Sequence, residues 1–289
     1  MTFPPKTIRS FTQIKPGVII SLAVEKGGAG KTTSAVNIAS GLARWGANLG
    51  WRVLLIDIDP QGTASNAVGQ FSAASSEKTL AKLLDDDHLL LRPHEFIAPS
   101  PWNPKHLHYI PTNRQTLGGM REKLISKIGR ERRLSRVLNP LRSDYHFVII
   151  DTGPVNDVLT QNALVASDFV LIPINLDFLG LEAINRTFQL IKVIQLGLEQ
   201  ERPKILGLLG TFYRKGVLAS EEALKMLNDK FSNSVIRTVI PLNSAIPDSF
   251  SAGVDIYTFN RYSPGATAYN RVVHEILIRI KKIQEQRYG

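Results

Sequence analysis

Residues Glu25-Lys26-Gly27-Gly28-Ala29-Gly30-Lys31-Thr32-Thr33 set a Gly-Lys-Thr in a glycine-rich run. Such a run suits one kind of chemistry. Glycines let successive backbone N–H groups converge on an anion, and the start of a following helix adds the positive end of its dipole. Lys31 would then reach the β- and γ-phosphates of a nucleotide, and Thr32 would offer its hydroxyl to Mg²⁺. The usual pattern, G-x-x-x-x-G-K-[ST], asks for glycine at position 25, where this chain has glutamate. A second lysine, Lys26, stands inside the loop. Carboxylates supply the complement. VLLIDIDPQG ends an apolar run in Asp57 and Asp59, two apart and so on one side of a strand, and HFVIIDTGP ends another in Asp151. Carboxylates at the C-terminal ends of parallel strands face the crevice where ligands bind, and a strand-end aspartate is a common partner of Mg²⁺. A lone strand-end aspartate is often a turn former. Three beside a phosphate loop point to an Mg·nucleotide site.

These residues need strands that end together and helices that start beside them. Strands are expected at Val18–Val24, Val53–Ile58, Leu107–Ile110, Phe147–Ile150, Phe169–Ile174, Ile205–Thr211 and Val235–Ile240. Several are nearly continuous apolar runs, as for parallel strands covered on both faces. Helical spacing falls near Lys31–Trp45, Leu117–Leu138, Val158–Ala166, Leu181–Leu196, Ser220–Lys230 and Pro264–Gln286. This alternation predicts an α/β fold, a doubly wound, mostly parallel sheet flanked by helices. Gly69–Pro104 mixes Ser/Ala-rich, acidic and Pro-rich pieces and is expected to elaborate one domain. The expected organisation is an N-terminal extension over residues 1–17 and a single domain over 18–289.

A hydrophobic fraction of 43% supports a substantial core, and no apolar run approaches the ~20 residues that cross a bilayer. The first 16 residues lack the apolar stretch of a secretory signal. The absence of cysteine excludes disulfides, thiolate metal sites and thiol catalysis, and fits a reducing cytoplasm. The net charge of +10 points to a polyanionic partner. The excess clusters. Arg121–Arg142 holds eight basic residues against Glu122 and Glu131, and the last helix carries Arg271, Arg279, Lys281, Lys282 and Arg287 against Glu275 and Glu285.

Together these motifs resemble those of the ParA/MinD family of deviant Walker-A ATPases. Lys26 to Thr33 resembles that family's KGG-x-GKTT loop, DIDPQGTAS its D-x-DPQG-x-A-[ST] segment, and Asp151-Thr152-Gly153-Pro154 its D-[TC]-PP. TVIPLNSAIPDSFSAGVDIYTFNRYSPGATAYNRVVHEI resembles a segment of the ParA branch. The resemblance runs from about Val18 to Ile283. It implies a P-loop NTPase fold that binds ATP with Mg²⁺ and hydrolyses ATP slowly unless activated. It implies that Lys26 reaches the partner subunit's phosphates in an ATP-dependent homodimer. Asp59 would position the attacking water, Asp57 support the loop and metal, and Thr32 and Asp151 hold Mg²⁺, the latter through a water. Thr211, Pro241 and Asn243 would line the adenine pocket beside Gly27, Gly28, Ala29, Gly30, Lys31 and Thr33. It further implies non-specific DNA as a partner and a ParB-like or cargo-adaptor activator, in a nucleoid-associated cytoplasmic protein.

Three positions depart from the family pattern. Gly153 replaces a proline, Leu242 stands where an arginine commonly contacts DNA, and Asp248 and Ser249 fall near a missing Glu-Ala. Arg214 and Lys215, in a loop after a strand, join Arg271, Arg279, Lys281 and Lys282 as candidate DNA contacts, with the Arg121–Arg142 segment. Phosphate contact needs charge and no base readout. In the last helix Val272, Ile276, Ile280 and Ile283 recur at helical spacing beside basic residues, a pattern that can lie on a membrane. Here the fold needs that stripe to cover its sheet, so a membrane partner is not expected.

Overall fold

The computed structural model describes residues 10–69 and 77–288. Seven strands form one sheet: β1 (Val18–Leu22), β2 (Val53–Asp57), β3 (Ala98–Pro99), β4 (Leu107–Ile110), β5 (Phe147–Asp151), β6 (Phe169–Asn175) and β7 (Lys204–Thr211). Their order is β3-β4-β2-β5-β1-β6-β7, and every pairing is parallel except that of β3 with β4. The helices are α1 (Lys31–Trp45), α2 (Thr63–Val68), α3 (Leu80–Asp85), α4 (Arg114–Gly118), α5 (Met120–Ile125) and α6 (Arg133–Leu138). They continue as α7 (Val158–Ala166), α8 (Phe178–Gly197), α9 (Leu218–Phe231), α10 (Ala245–Ser251), α11 (Ile256–Asn260) and α12 (Pro264–Tyr288).

Every residue of β1, β2 and β5 is buried, because side chains on both faces of these strands meet helices. Ile20, Leu22, Val53, Leu55, Phe147 and Ile149 join α1 and α12 in one apolar layer. Ile19, Leu54, Ile56, Val148 and Ile150 join α3, α5, α6 and α7 in the opposite one. The period-2 alternation of each strand therefore divides between two cores. Val272, Ile276 and Ile280 of α12 are fully buried, so the stripe that could have faced a membrane covers the sheet. Among the described residues no helix is long and apolar enough to cross a membrane. Gly41 lets α12 and α11 approach α1 closely: a β-carbon there would stand 2.6 Å from Tyr257 Oη and 2.8 Å from Val273 Cγ2.

Three expectations needed correction. The helix read over Leu117–Leu138 is broken into α4, α5 and α6, because Gly119 separates the first two and Gly129 adopts φ +62° before the third. Val235–Ile240 is not a strand. Leu208 pairs with Val235, and Ile240 N donates to Gly210 O, but Arg237 N and Thr238 N donate instead to the Glu275 carboxylate on α12. That diversion lifts the middle of the segment off the edge of β7. β3, absent from the sequence reading, is a two-residue strand ending in Pro99, too short to leave a periodic signal. Of the expected extension, residues 1–9 lie outside the described residues. Phe11 and Ile14 are buried in the α1/α12 layer, and Gly17 N donates to Tyr145 O.

Candidate nucleotide site

β1 runs straight into the glycine-rich loop, and α1 begins at Lys31 with Gly30 as its N-cap. Gly28 and Gly30 hold φ at +69° and +81°, the left-handed region that glycine enters without steric cost. No side chain caps α1, so its first-turn amides remain directed at whatever anion sits in the loop. Lys31 is 7% exposed and donates to Lys26 O at 2.9 Å and Val24 O at 3.2 Å. Burial lowers its pKa, while Asp151 and Asp59 pull the other way.

The carboxylates converge on this loop because their strands are in register. Asp57 pairs with Asp151 across β2 and β5, and Asp151 with Leu22 of β1. Asp57 accepts from Ser65 N at 2.8 Å and Asp59 N at 3.1 Å, which ties down the turn after β2. Burial, with Asp151 adding, raises its pKa well above the ordinary value. Burial likewise pushes the Asp151 carboxyl up to about 7, opposed by the Thr32 hydroxyl and reinforced by Asp59. Apart from the nearby Thr32 hydroxyl and Thr152 amide, no donor among the described residues serves the Asp151 carboxylate, and neither of those makes a hydrogen bond of full geometry. A buried carboxylate in that condition fits a hard cation. Asp59 is half-buried and faces Gly153, whose absent side chain leaves the space beside its carboxyl open.

Two cavities adjoin. One, of about 270 Å³, is lined by Gly27 to Thr33 with Asp59, Pro154 and Phe212. The other, of about 490 Å³, is apolar and lined by Thr211, Phe212, Ile240, Pro241, Leu242 and Asn243 among others. Gly30, Thr33 and Phe212 belong to both, so a phosphate cradle opens into a base-sized chamber. The loops after β7 and before α10 form that chamber because Tyr213 N donates to Ile240 O and Leu242 N to Tyr213 O. Asn243 Oδ1 is buried there without a donor, an acceptor suited to an exocyclic amine. Thr211 lines the chamber while its hydroxyl donates to Ala29 O at 3.0 Å, fixing the loop.

Two residues near the loop escaped the sequence reading. Asp177 takes the Lys26 ammonium at 2.8 Å and caps α8 by accepting from Gly180 N at 2.6 Å. Its sequence signal was the Asn-Leu-Asp preceding a helical run, an N-cap pattern. Lys26 is thus engaged within its own chain here. Phe212, on both cavity walls, left no signal beyond its place after a strand.

The basic surface is smaller than the sequence suggested. In the 121–142 segment Arg121 pairs with Asp157, Lys123 and Lys127 with Asp85, Arg133 with Asp87, and Arg142 with Asp168. Those acids lie outside the segment, so counting charge along the chain overstated the exposed excess. Arg279 is corrected as a DNA candidate: its guanidinium donates to the carbonyls of Leu206, Ser234 and Val235, where β7 meets the diverted segment. Lys281 pairs with Glu285 at 3.6 Å. Arg214, Lys215, Arg271 and Lys282 are exposed.

Residues 17–204 match the family described as AAA domain. The chain is 34% identical over 263 residues to the sporulation initiation inhibitor protein Soj of Bacillus subtilis, covering 90% of this chain and 98% of that one. It is 31% identical to the chromosome partitioning protein ParA of Myxococcus xanthus, covering 91% and 89%. Among solved structures, cobyrinic acid a,c-diamide synthase of Mycobacterium smegmatis with bound ADP and magnesium superposes with a TM-score of 0.75 at 27% identity, covering 91% of this chain and 95% of that one.

Proposed function

The chain belongs to the ParA/MinD family of P-loop ATPases, and from that premise we propose that it is a ParA-like positioning ATPase that closes into a dimer on ATP and then binds DNA without sequence preference. The observation that carries the reading is the phosphate cradle opening into a base-sized chamber, with Asp59 in the cradle's wall and Asp57 and Asp151 buried side by side at the strand ends.

ATP and Mg²⁺ are the ligands this site suits. Thr32 and Asp151 are the residues that would hold the metal, Asp151 through a water. Bound there, Mg²⁺ supplies charge neutralisation to the phosphates. Among the described residues no group of three His, Cys, Asp or Glu could hold a metal alone, in keeping with an ion that keeps most of its phosphate and water ligands. Lys31 holds the phosphates and the loop amides orient them. Asp59 orients the attacking water, and Asp57 keeps Asp59 in place by accepting its amide. Asn243 accepts from the adenine amine. Lys26 leaves Asp177 to meet the partner subunit's phosphates, which ties dimerisation to occupancy. Hydrolysis is slow alone and is raised by a ParB-like or cargo-adaptor partner, so that the protein cycles on the nucleoid.

Arg214, Lys215, Arg271 and Lys282 are the DNA contacts in this reading. ATP-dependent binding to DNA of arbitrary sequence across a salt series tests it, with affinity falling steeply as salt rises. Lys31→Ala should abolish ATP binding, and Asp59→Ala should trap an ATP-bound dimer; normal turnover in the latter would defeat the role given to Asp59. No DNA binding at low salt would favour a second reading, a nucleotide-switched protein adaptor, for which the 51% exposed Leu242 is the motivating observation. A MinD-like membrane role is disfavoured by burial of the α12 stripe.

A further inference from the structure

Phe212 stands where the two cavities meet, and none of the roles above uses it. It lines both, remains 37% exposed, and holds φ at +53°. That left-handed conformation is uncommon for an aromatic residue and persists only where neighbours enforce it. The enforcement is on both sides. Before it, the Thr211 carbonyl accepts from Leu176 N at 3.1 Å and the Thr211 hydroxyl donates to Ala29 O at 3.0 Å. After it, Tyr213 N donates to Ile240 O at 3.0 Å and Leu242 N donates to Tyr213 O at 2.9 Å. The turn brings the ring back over the phosphate loop: a β-carbon on Gly30 would lie 3.4 Å from Phe212 Cε2. A core ring is ordinarily buried and set on ordinary backbone. This one is held, at a backbone cost, with part of its surface open to both chambers.

We propose that Phe212 is a nucleoside-contacting residue, whose ring walls the passage between cradle and chamber and packs against the sugar and base of the bound nucleotide. The inference rests on the nucleotide-site reading above. A phenyl ring has no N–H or O–H to give a phosphate, but its apolar face suits a ribose edge or a base. Phe212 therefore raises affinity for a nucleotide over that for a bare phosphate chain, a preference the loop amides and Lys31 cannot supply.

The test measures affinity of the full chain for ATP and for inorganic tripolyphosphate, each with Mg²⁺, by calorimetry. Phe212→Gly removes the ring and suits the φ angle, Phe212→Leu keeps apolar bulk without an aromatic face, and Phe212→Tyr keeps the ring. The glycine and leucine variants should lose about tenfold in ATP affinity, the order seen when one stacked aromatic partner is removed. Tripolyphosphate should change less than about twofold, and the tyrosine variant should bind ATP as the parent does. Unchanged ATP affinity in the glycine variant would overturn the proposal. So would parallel loss of both ligands, which would mean that Phe212 acts by shaping the loop. Failure of the site reading would look different, since the parent protein would then show no Lys31-dependent binding of either ligand.

Discussion

Replacing Asp151 with asparagine should make the nucleotide-free protein more stable at alkaline pH while removing its response to Mg²⁺ and ATP. Burial holds the folded-state carboxyl at about 7, against 3.8 for the ordinary group. Between those values the folded state binds the proton that the unfolded state releases. The stability this supplies is fully present below about pH 4 and is lost as pH rises through 7. At pH 8 both states are ionised and the buried charge carries its full penalty, with a ceiling of about 4 kcal/mol at roughly 1.36 kcal/mol per pH unit. The asparagine amide finds no ready partner either, and an unsatisfied buried polar group costs about 1–3 kcal/mol. The net gain at pH 8 is therefore about 1–3 kcal/mol, shrinking to near zero at pH 5. Urea unfolding followed by circular dichroism, in EDTA at both pH values, reads this directly. Adding Mg²⁺ and ATP should then stabilise the parent and leave the variant unmoved. Equal stability of the two proteins at pH 8, or the same gap at both pH values, would refute desolvation of Asp151 as the origin of the effect.

Other outcomes follow from packing and charge. Gly41→Ala should lower stability by roughly 1–3 kcal/mol, less up to ~1 kcal/mol regained as helix propensity, because its methyl meets Tyr257 and Val273; thermal unfolding checks it. Arg279→Leu should destabilise by roughly 1–3 kcal/mol by leaving the carbonyls of Leu206, Ser234 and Val235 without their donor, and the folded fraction should bind DNA as the parent does. Arg214→Ala with Lys215→Ala should instead spare stability and reduce the slope of log affinity against log salt by about 2, measured by fluorescence anisotropy on arbitrary DNA.

The phosphate loop and the strand-end aspartates could be read because their signals are local. Glycine spacing, an apolar strand before the loop and helical spacing after it all fall within a few dozen residues, and α1, β4 and α7 begin and end where the patterns do. What could not be read depends on distant partners. Asp177 holds Lys26 from 151 positions away, and the carboxylates that neutralise Arg121, Lys123, Lys127 and Arg133 come from other elements. Val235–Ile240 has a strand's composition, yet Glu275 on α12 takes two of its amides. Phe212 owes its left-handed backbone to hydrogen bonds that tie its neighbours down, Leu176 N donating to Thr211 O and Tyr213 N to Ile240 O, which no spacing rule links to it.

The strand order has a consequence for how the molecule is made. β1, the first of the seven described strands in chain order, lies between β5 and β6, and the Thr152 hydroxyl that reaches Leu22 O is 130 positions downstream. Until that much more chain has emerged, both long edges of an apolar strand lack their partners, and the loop that follows has no frame on which to set its curvature. Contacts of such separation slow folding and lengthen the exposure of sticky edges. The nucleotide pocket is thus one of the last features the nascent chain completes, and ATP can stabilise the finished protein without assisting its early collapse. An N-terminal fragment carrying the whole glycine-rich loop but stopping before β5 would contain the motif and lack the site.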